Sequence, residues 1–473
     1  MRWLPGLLLA ALIALPFGMG GRRDAVADLS SDNVLRVISP HRRETRMEYS
    51  RAFREFMRRE RGREVDILWL DPGGGTSVIL RDLESRYTAN PDDPGVDILF
   101  GGGVDPYLRA AQRNWFVPVP VDAETLDRIP PSGNGLPIRD PDGQWYGVAL
   151  ASFGMIYNER VLSRLNVEIP RSWEDVGRPE LFGWVAGGNP SSSGAVHSCY
   201  EVVLQAYGWE RGWRALAAIA ANTRTFGESA SAAPTETTAG DAAVGMAIQH
   251  YAVIAIQAAG DPAVGFTLPA GQTIISPDGI ALLRGSSRAG LAEEFIRFVL
   301  SPEGQRLLFR PAGVDGQLFT QSRYPVRTDL YDEPHAPRDN PYASAADIRY
   351  DNARAARRWD ILNDLAMTWL IDVHPELSRA WRAVIARGAS EEEKARLFAP
   401  PMGEEELLAL AASDAAIATT LRNLQAKDRS EGTDNRRRIA SMETARAEAR
   451  LERRRAWNEA ARAHYAQFYA HGR

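Results

Sequence analysis

The chain of 473 residues has a single cysteine, Cys199. An intrachain disulfide and a zinc site built on several cysteines are therefore both excluded. Positive charge is not in excess either, because 56 Lys and Arg residues stand against 61 Asp and Glu residues, a formal net charge of −5. The molecule as a whole has no electrostatic reason to bind nucleic acid, and we expect no nucleic-acid partner.

The motifs of several common enzyme classes are also missing. The glycine triplets at 73–75 and 101–103 lack the G-x-G-x-x-G spacing, and no G-x-x-x-x-G-K-[ST], H-E-x-x-H or G-x-S-x-G motif occurs. The sequence therefore predicts a protein that is not an enzyme.

A short apolar segment lies at the N-terminus. Residues 4–17 follow Met1 and Arg2, and Ala25-Val26-Ala27 has the small-x-small pattern of a cleavage site. The apolar segment is close to the roughly 7–15 residues of a secretory signal and shorter than the roughly 18 of a membrane helix. We expect residues 1–27 to be a signal peptide or an uncleaved anchor, and the protein to be periplasmic or tethered to the outer face of the cytoplasmic membrane. A buried N-terminal helix is the alternative.

From residue 34 onward, β-rich segments alternate with glycine-rich turns and helical patterns. Segments 34–38, 65–70 and 97–100 each precede a turn and an amphipathic helix. This alternation is typical of a parallel sheet with helices on both faces.

Two long extended segments, 147–158 and 273–283, interrupt this pattern. The first opens a second α/β region, and the second could return the chain to the first sheet. We therefore predict one lobe from residues 34–148 plus 275–335 and a second lobe from residues 149–274.

Past residue 342 only helical patterns occur. Apolar residues recur at three- and four-residue spacing, which predicts a helical extension over residues 343–425. Residues 426–473 carry 12 basic and 7 acidic residues, and we expect a charged helical tail there. Within it, residues 435–462 alternate Arg and Glu, which favours a solvated helix. The extension contains Trp359, Trp369 and Trp381, which could pack against the lobes or bind a partner protein.

Five turns rich in glycine or serine end at His41, Gly75, Gly103, Gly194 and Tyr251, each between a predicted strand and a predicted helix. In open α/β sheets, ligands bind beyond the carboxyl ends of the strands, where helix N-termini offer unpaired N–H groups. Two lobes with such turns could form a ligand cleft between them. For any one turn, a glycine that only makes a tight turn is the alternative.

Four side chains near these turns could bind a ligand or a metal. His41 and His250 lie at predicted strand ends, and Tyr251 offers a phenolate, a hard donor suited to Fe(III). Asp278 lies in the second long extended segment, where its carboxylate could meet a cation. The alternatives are structural histidines, a tyrosine that packs its ring, and an Asp-Gly turn.

The order of these motifs resembles the extracellular solute-binding proteins of ABC importers, specifically their ferric-iron-binding branch. The segments that carry the resemblance, over about residues 34–330, are ISPHRRE (38–44), LWLDPGGGTSVIL (68–80), DILFGGG (97–103), WYGVALASFGMIYN (145–158), PRSWEDV (170–176), LFGWVAGGNPSSSGAVH (181–197), AAVGMAIQHYA (242–252), ISPDGIALL (275–283) and FIRFVLSPEGQ (295–305). The resemblance implies an α/β fold of the type II periplasmic-binding class, with two lobes joined by two crossover strands and here a C-terminal α-helical extension.

The resemblance also implies a set of ligand-binding residues: Ser39, His41, Gly74, Gly75, Thr76 and Gly102 in one lobe, Ser192, Ser193, Gly194 and Tyr251 in the other, and Ser152 and Asp278 near the hinge. His41, His250 and Tyr251 are the candidate metal ligands. Ferric-binding members commonly have two adjacent tyrosines where this chain has His250-Tyr251, so one tyrosine is missing. An oxyanion, or iron held with a carbonate-like anion, therefore fits the cleft equally well.

The implied function is to capture a small ligand, with Fe(III) as one candidate, by hinge closure and to deliver it to a membrane ABC permease. No resident cofactor is expected. The alternatives are a receptor for a phosphate-like or organic anion, an enzyme that reuses the fold, and an interaction protein built around the C-terminal helices.

Overall fold

The architecture comes from a computed structural model that describes residues 32–133, 136–337, 340–342, 348, 350–428 and 433–469. The expected signal peptide or anchor, residues 1–27, lies outside the described residues. Within these ranges, no helix has both the length and the hydrophobicity that crossing a lipid bilayer requires.

Eleven strands of the described chain form one mixed sheet, and two more form a small hairpin. In chain order the strands are β1 Val34–Ile38, β2 Asp66–Leu70, β3 Ile98–Phe100, β4 Phe116–Val117, β5 Ser132–Gly133, β6 Leu136–Pro137, β7 Tyr146–Asn158, β8 Val185–Gly188, β9 Thr223–Gly227, β10 Val244–Ile248, β11 Val264–Thr267, β12 Ile275–Leu283 and β13 Tyr324–Pro325. The order across the sheet is β2-β1-β3-β12-β7-β10-β8-β9, with β4 beside β12, and with β11 and β13 beside β7.

The sheet has two wings. In the wing that we call lobe 1, β1 pairs in parallel with β2 and β3. In the wing that we call lobe 2, β8 pairs in parallel with β9 and β10. The long strands β7 and β12 run antiparallel to each other between the wings, with a register shift between Asp278 and Gly279. They correspond to the two long extended segments of the sequence.

Helices cover the wings and form the C-terminal region. They are α1 Arg43–Arg61, α2 Thr76–Ala89, α3 Val104–Gln112, α4 Ala123–Asp127, α5 Glu159–Arg164, α6 Gly194–Tyr207, α7 Trp209–Asn222, α8 Ala232–Ala239, α9 Gln249–Ala259, α10 Ala289–Leu300, α11 Pro302–Arg306, α12 Asn352–Ala366, α13 His374–Ala386, α14 Glu391–Leu397, α15 Glu404–Asp428 and α16 Thr433–Ala466. The predicted α/β architecture with a C-terminal helical extension is confirmed.

The parallel strands of lobe 1 are buried because helices lie on both faces of the sheet, which suits their nearly continuous apolar sequences. Beneath α1 and α10, aromatic rings meet edge to face: Phe100 lies 5.1 Å from Tyr49 and 5.8 Å from Phe295 between ring centroids. This packing fixes the end of β3, and with it the glycine turn that follows.

The C-terminal helices pack on the lobes. Trp359 and Trp381 are fully buried, and the indole N–H of Trp381 donates to Asn222 of α7 at 2.8 Å. Arg358 of α12 makes a buried two-pronged ion pair with Glu201 of α6, at 2.7 and 3.0 Å. These two tryptophans therefore pack against the lobes.

The charged tail is helical, but its last turns are not solvated. Tyr465 at the end of α16 is 2% exposed, and its hydroxyl donates to the carbonyl of Trp369 at 2.9 Å. Phe468 is also buried. The tail packs at other points as well, because Ala461 is buried and because Arg450 and Arg453 make ion pairs with Asp364 and Asp414.

Candidate functional site

A cavity of about 250 Å³ lies where the two lobes meet. We call it the cleft. Lobe 1 contributes the turns that follow β1, β2 and β3, and lobe 2 contributes the turn before α6 and the first turn of α9. Ten of the thirteen residues predicted for the site line it: His41, Gly74, Gly75, Thr76, Gly102, Ser193, Gly194, His250, Tyr251 and Asp278. That these residues bind a ligand stays a prediction.

The other three predicted residues do not line this cavity. Ser39 accepts a hydrogen bond from the backbone N–H of His41 at 3.1 Å and so holds the turn after β1. Ser152 is buried within β7, opposite Ile275. Ser192 donates its hydroxyl to Glu228 and offers its carbonyl to the opposite lobe.

The two lobes touch at the glycine turn after β2. The N–H of Gly75 donates to the carbonyl of Ser192 at 2.9 Å, across the gap between the lobes. A Cβ atom at Gly75 would lie 2.8 Å from Cα of Ser193, so only glycine permits this approach. The lobes are therefore closed on each other at this point.

Arg323 is the main residue that the sequence prediction missed. Its guanidinium lines the cleft, and its Nη1 donates to Oδ2 of Asp278 at 2.5 Å. Its Nη2 lies 2.8 Å from Nε2 of His250. Because a guanidinium can only donate, this nitrogen of His250 is an acceptor and its ring is neutral.

His41 completes the cluster around Arg323. Its Nε2 lies 3.0 Å from Oδ2 of Asp278 and 3.2 Å from Nη1 of Arg323. The Asp278 carboxylate is the nearer of the two groups and accepts hydrogen bonds, so Nε2 of His41 is the donor to Asp278. The N–H of Gly102 donates to the other oxygen of Asp278 at 2.6 Å and so holds the carboxylate in place. The φ of Gly102 is +94°, a backbone conformation that glycine adopts readily.

Burial and Arg323 together set the charge states of the cluster. Burial lowers the pKa of His41 and, still further, that of His250, and the charge of Arg323 adds to both effects. Burial would raise the pKa of Asp278, but Arg323 and His41 outweigh it and hold this pKa far below its usual range. At neutral pH the cluster contains a carboxylate, a guanidinium and two neutral imidazoles.

The three candidate metal ligands are together in the structure, but a cation already lies among them. Arg323 contacts both histidines, and Tyr251 packs beside His250 with ring centroids 4.2 Å apart. Burial raises the pKa of the Tyr251 phenol, which disfavours the phenolate that Fe(III) needs. Among the described residues, no group of three or more His, Cys, Asp or Glu side chains has an arrangement that could hold a metal ion.

Three helices begin at the cleft without a side-chain cap. The residues that precede α2, α3 and α9 are Gly75, Gly103 and Ile248, and none of them caps its helix with a side chain. Helix N-termini carry unpaired N–H groups and a partial positive charge, which together attract an anion. The cleft therefore has the chemistry of an anion-binding site.

Comparison with known proteins identifies the family. A family model described as bacterial extracellular solute-binding protein matches residues 93–344 of the chain. The chain belongs to this family. The resemblance predicted from the sequence motifs is thereby confirmed. The members of this family are binding proteins rather than enzymes, they serve ABC-type import, and the family description implies a location outside the cytoplasm.

Curated relatives of this solute-binding protein include the phosphoglycerate transport regulatory protein PgtC of Salmonella typhimurium. The two are 28% identical over 260 residues, which are 55% of this chain and 62% of PgtC. The chain thus spans somewhat less than two thirds of the length of this relative.

Solved structures show the fold. The periplasmic binding protein AfuA from Actinobacillus pleuropneumoniae, with fructose-6-phosphate bound, superposes with a TM-score of 0.56 at 18% identity, covering 74% of this chain and 98% of AfuA. Iron-bound HitA from Pseudomonas aeruginosa gives a TM-score of 0.54 at 19% identity, covering 70% and 98%. Both likenesses support the type II periplasmic-binding fold.

Proposed function

We propose that this solute-binding protein captures a small anion with a phosphate-like oxyanion group in its cleft and delivers it to the permease of an ABC importer. The observation that carries the proposal is the buried guanidinium of Arg323 on the cavity wall, surrounded by three helix N-termini without side-chain caps. A guanidinium has five N–H donors in a planar fork that matches the oxygens of a phosphate group.

The size of the cleft supports a small ligand. At roughly 30 Å³ for each water molecule, a cavity of about 250 Å³ holds about eight waters. This space suits a phosphate group with a short carbon skeleton. Phe153, Ile248 and Tyr251 on the cavity wall offer apolar surface to such a skeleton.

Ferric iron, the other ligand that the sequence suggested, is the second candidate. Tyr251 on the cavity wall is the observation that favours it. The charge of Arg323 acts against it: a ferric ion about 4 Å from a guanidinium would be repelled by about 12 kcal/mol at an effective dielectric constant of 20. That repulsion would have to be offset by anionic ligands, and Asp278 is already bonded to Arg323.

The names of two of the similar proteins support a phosphorylated ligand, whereas HitA was solved with iron bound. PgtC is named for phosphoglycerate transport, and AfuA was solved with fructose-6-phosphate. Both names concern phosphorylated small molecules. They support the same chemistry for the present cleft, and the Arg323 cluster gives a physical reason for it.

Capture needs contacts from both lobes. A ligand that binds Thr76 and Gly103 on one side and Ser193 and Tyr251 on the other would stabilise the closed state by its differential affinity alone. The closed state would then be the form that the permease receives, and no bond of the ligand would be made or broken.

Isothermal titration calorimetry with 3-phosphoglycerate, inorganic phosphate and ferric citrate tests the proposal. We expect at least one phosphorylated compound to bind, and Arg323→Gln to weaken that binding by about tenfold or more. Arg327→Gln is the matched control, because Arg327 is equally buried but pairs with Asp329 away from the cavity. Tyr251→Phe should leave phosphate binding intact. Binding of iron with a visible phenolate band that Tyr251→Phe removes, and no binding of phosphate compounds, would overturn the proposal.

A further inference from the structure

A second and larger cavity lies between lobe 1 and the C-terminal helices. Its volume is about 1180 Å³, and its walls come from α2 and α3 on one side and from α12, α15 and α16 on the other. We call it the extension groove. It has no lining residue in common with the cleft, although Ser191 and Ser192 of the groove adjoin Ser193 of the cleft.

Arginines dominate the charge of the groove. Seven arginines and five carboxylates line it, without lysine or histidine. The arginines are Arg81, Arg109, Arg113, Arg357, Arg446, Arg450 and Arg454, and the carboxylates are Glu84, Asp360, Asp364, Asp414 and Glu443. The lining thus has an excess of two positive charges in a confined space.

Among the carboxylates of the groove, Asp360 is hydrogen-bonded to one guanidinium and lies within the electrostatic influence of two more. Asp360 accepts from Nη2 of Arg109 at 2.7 Å. Burial would raise the pKa of Asp360, yet Arg109, Arg113 and Arg450 together bring it below its usual range. Arg113 and Arg450 also have carboxylates of their own, because Arg113 lies 3.5 Å from Glu84 and Arg450 donates to both oxygens of Asp364 at 2.6 and 2.7 Å. The excess of positive charge therefore belongs to the lining of the groove as a whole.

Arg81 on α2 has no carboxylate within ion-pair distance in the described structure. Its Nη1 donates to the backbone carbonyl of Ser191 at 3.1 Å. Burial is the largest cause of the lowered pKa of Arg81; the charge of Asp360 opposes it, and the charges of Arg450 and Arg109 add to it. Its remaining N–H groups are available to an acceptor in the groove.

The floor of the groove is apolar. Leu80, Trp359, Ile361, Leu408 and Ala411 lie there, and the guanidinium of Arg109 stacks over the Trp359 ring at 5.5 Å. A ligand with both a charged head and a carbon skeleton would match such a surface. The groove is also several times larger than the cleft, so it accommodates a larger ligand.

We propose that the extension groove is a second binding site, which takes an organic phosphate through Arg81, Arg109 and Arg450. The phosphate group would supply the missing counter-charge of Arg81, and the organic part would lie on Leu408 and Leu451 of the lining. This site does not depend on what the cleft binds. The phosphate can belong to a free metabolite or to a lipid headgroup, and the two sources are separated by experiment.

Calorimetry with inorganic pyrophosphate tests the site for free phosphates. We expect the wild-type protein to show groove binding that Arg81→Gln weakens by about tenfold or more, whereas Arg323→Gln leaves it unchanged. Arg81 is exposed at the groove surface, so its replacement should not disturb folding. Arg214→Gln, at an exposed arginine on α7 far from the groove, is the matched control.

Sedimentation with vesicles of equal parts phosphatidylcholine and phosphatidylglycerol tests the lipid source. Binding to vesicles that Arg81→Gln abolishes would assign the groove to a lipid headgroup, and pyrophosphate binding alone would assign it to a free phosphate. Either result supports the site. If the wild-type protein binds neither, or if Arg81→Gln binds both as the wild type does, the proposal is wrong. Loss of pyrophosphate binding only in Arg323→Gln would also overturn it while leaving the proposed function of the cleft intact.

Discussion

Replacing Gly75 by alanine should weaken ligand capture without unfolding the protein. The new Cβ would lie 2.8 Å from Cα of Ser193 and 2.9 Å from the carbonyl oxygen of Ser192, both backbone atoms that cannot rotate away. The lobes would have to separate there, which costs the hydrogen bond between them, about 1 kcal/mol. Steric crowding adds about 1–3 kcal/mol. A total of at least about 2 kcal/mol corresponds to a loss of affinity of roughly 30-fold or more.

The assay compares Gly75→Ala with the wild type by calorimetry, using 3-phosphoglycerate or whichever phosphate compound the wild type binds best. The backbone at Gly75 is extended, with φ of −85°, so alanine fits its conformation and the melting temperature without ligand should stay close to that of the wild type. Gly290→Ala is the matched control, because no atom lies within 4 Å of its new Cβ. Unchanged affinity in Gly75→Ala would refute the idea that capture requires the lobes to close at this contact.

Three further predictions concern stability. Arg358→Ala should lower the free energy of unfolding in urea by about 3–5 kcal/mol, because it removes the only cation paired with the buried Glu201 carboxylate in the described structure and leaves it the Gln205 amide. A change below about 1 kcal/mol would contradict this. Burial and the charge of Glu201 raise the pKa of Asp105 to about 7, so the native state holds a proton that the unfolded state releases above about pH 4. The contribution of Asp105 to stability therefore falls between about pH 4 and pH 7, by up to about 4 kcal/mol, and Asp105→Asn should flatten the pH dependence measured by urea unfolding. If the free energy of unfolding of Asp105→Asn depends on pH as steeply as that of the wild type, Asp105 is not the group that causes this dependence. Tyr465→Ala should cost about 3–5 kcal/mol in the same assay, whereas a solvated tail would lose less than about 0.5 kcal/mol.

The fold was predictable because its signals are local. The two α/β wings are predicted directly by the alternation of β-rich segments, glycine turns and amphipathic helices. The strands β7 and β12 are predicted by the two unusually long extended segments. The turns of the cleft were predictable because they directly follow predicted strands. In open α/β sheets, ligands bind beyond the carboxyl ends of the strands. Ten residues named from these turns, from the extended segment of Asp278 and from the family resemblance line the cavity.

Arg323 could not be predicted, because its place in the cleft depends on distant pairing. It precedes the two-residue strand β13, which joins the sheet by pairing Tyr324 with Leu150 and Pro325 with Ala149 of β7. Neither a glycine turn nor an amphipathic period marks this segment. The buried end of α16 was missed for a related reason: Tyr465 and Phe468 contribute little to a helix that is otherwise dominated by Arg and Glu.

A crystal structure with tungstate, a phosphate analogue with a strong anomalous signal, would test most directly whether the cleft is an anion site. We predict an anomalous peak within hydrogen-bond distance of the Arg323 guanidinium, near the first turns of α2 and α9. No tungstate peak in the cleft, together with an iron peak bound to His41, His250 and Tyr251 after soaking with a ferric salt, would contradict it.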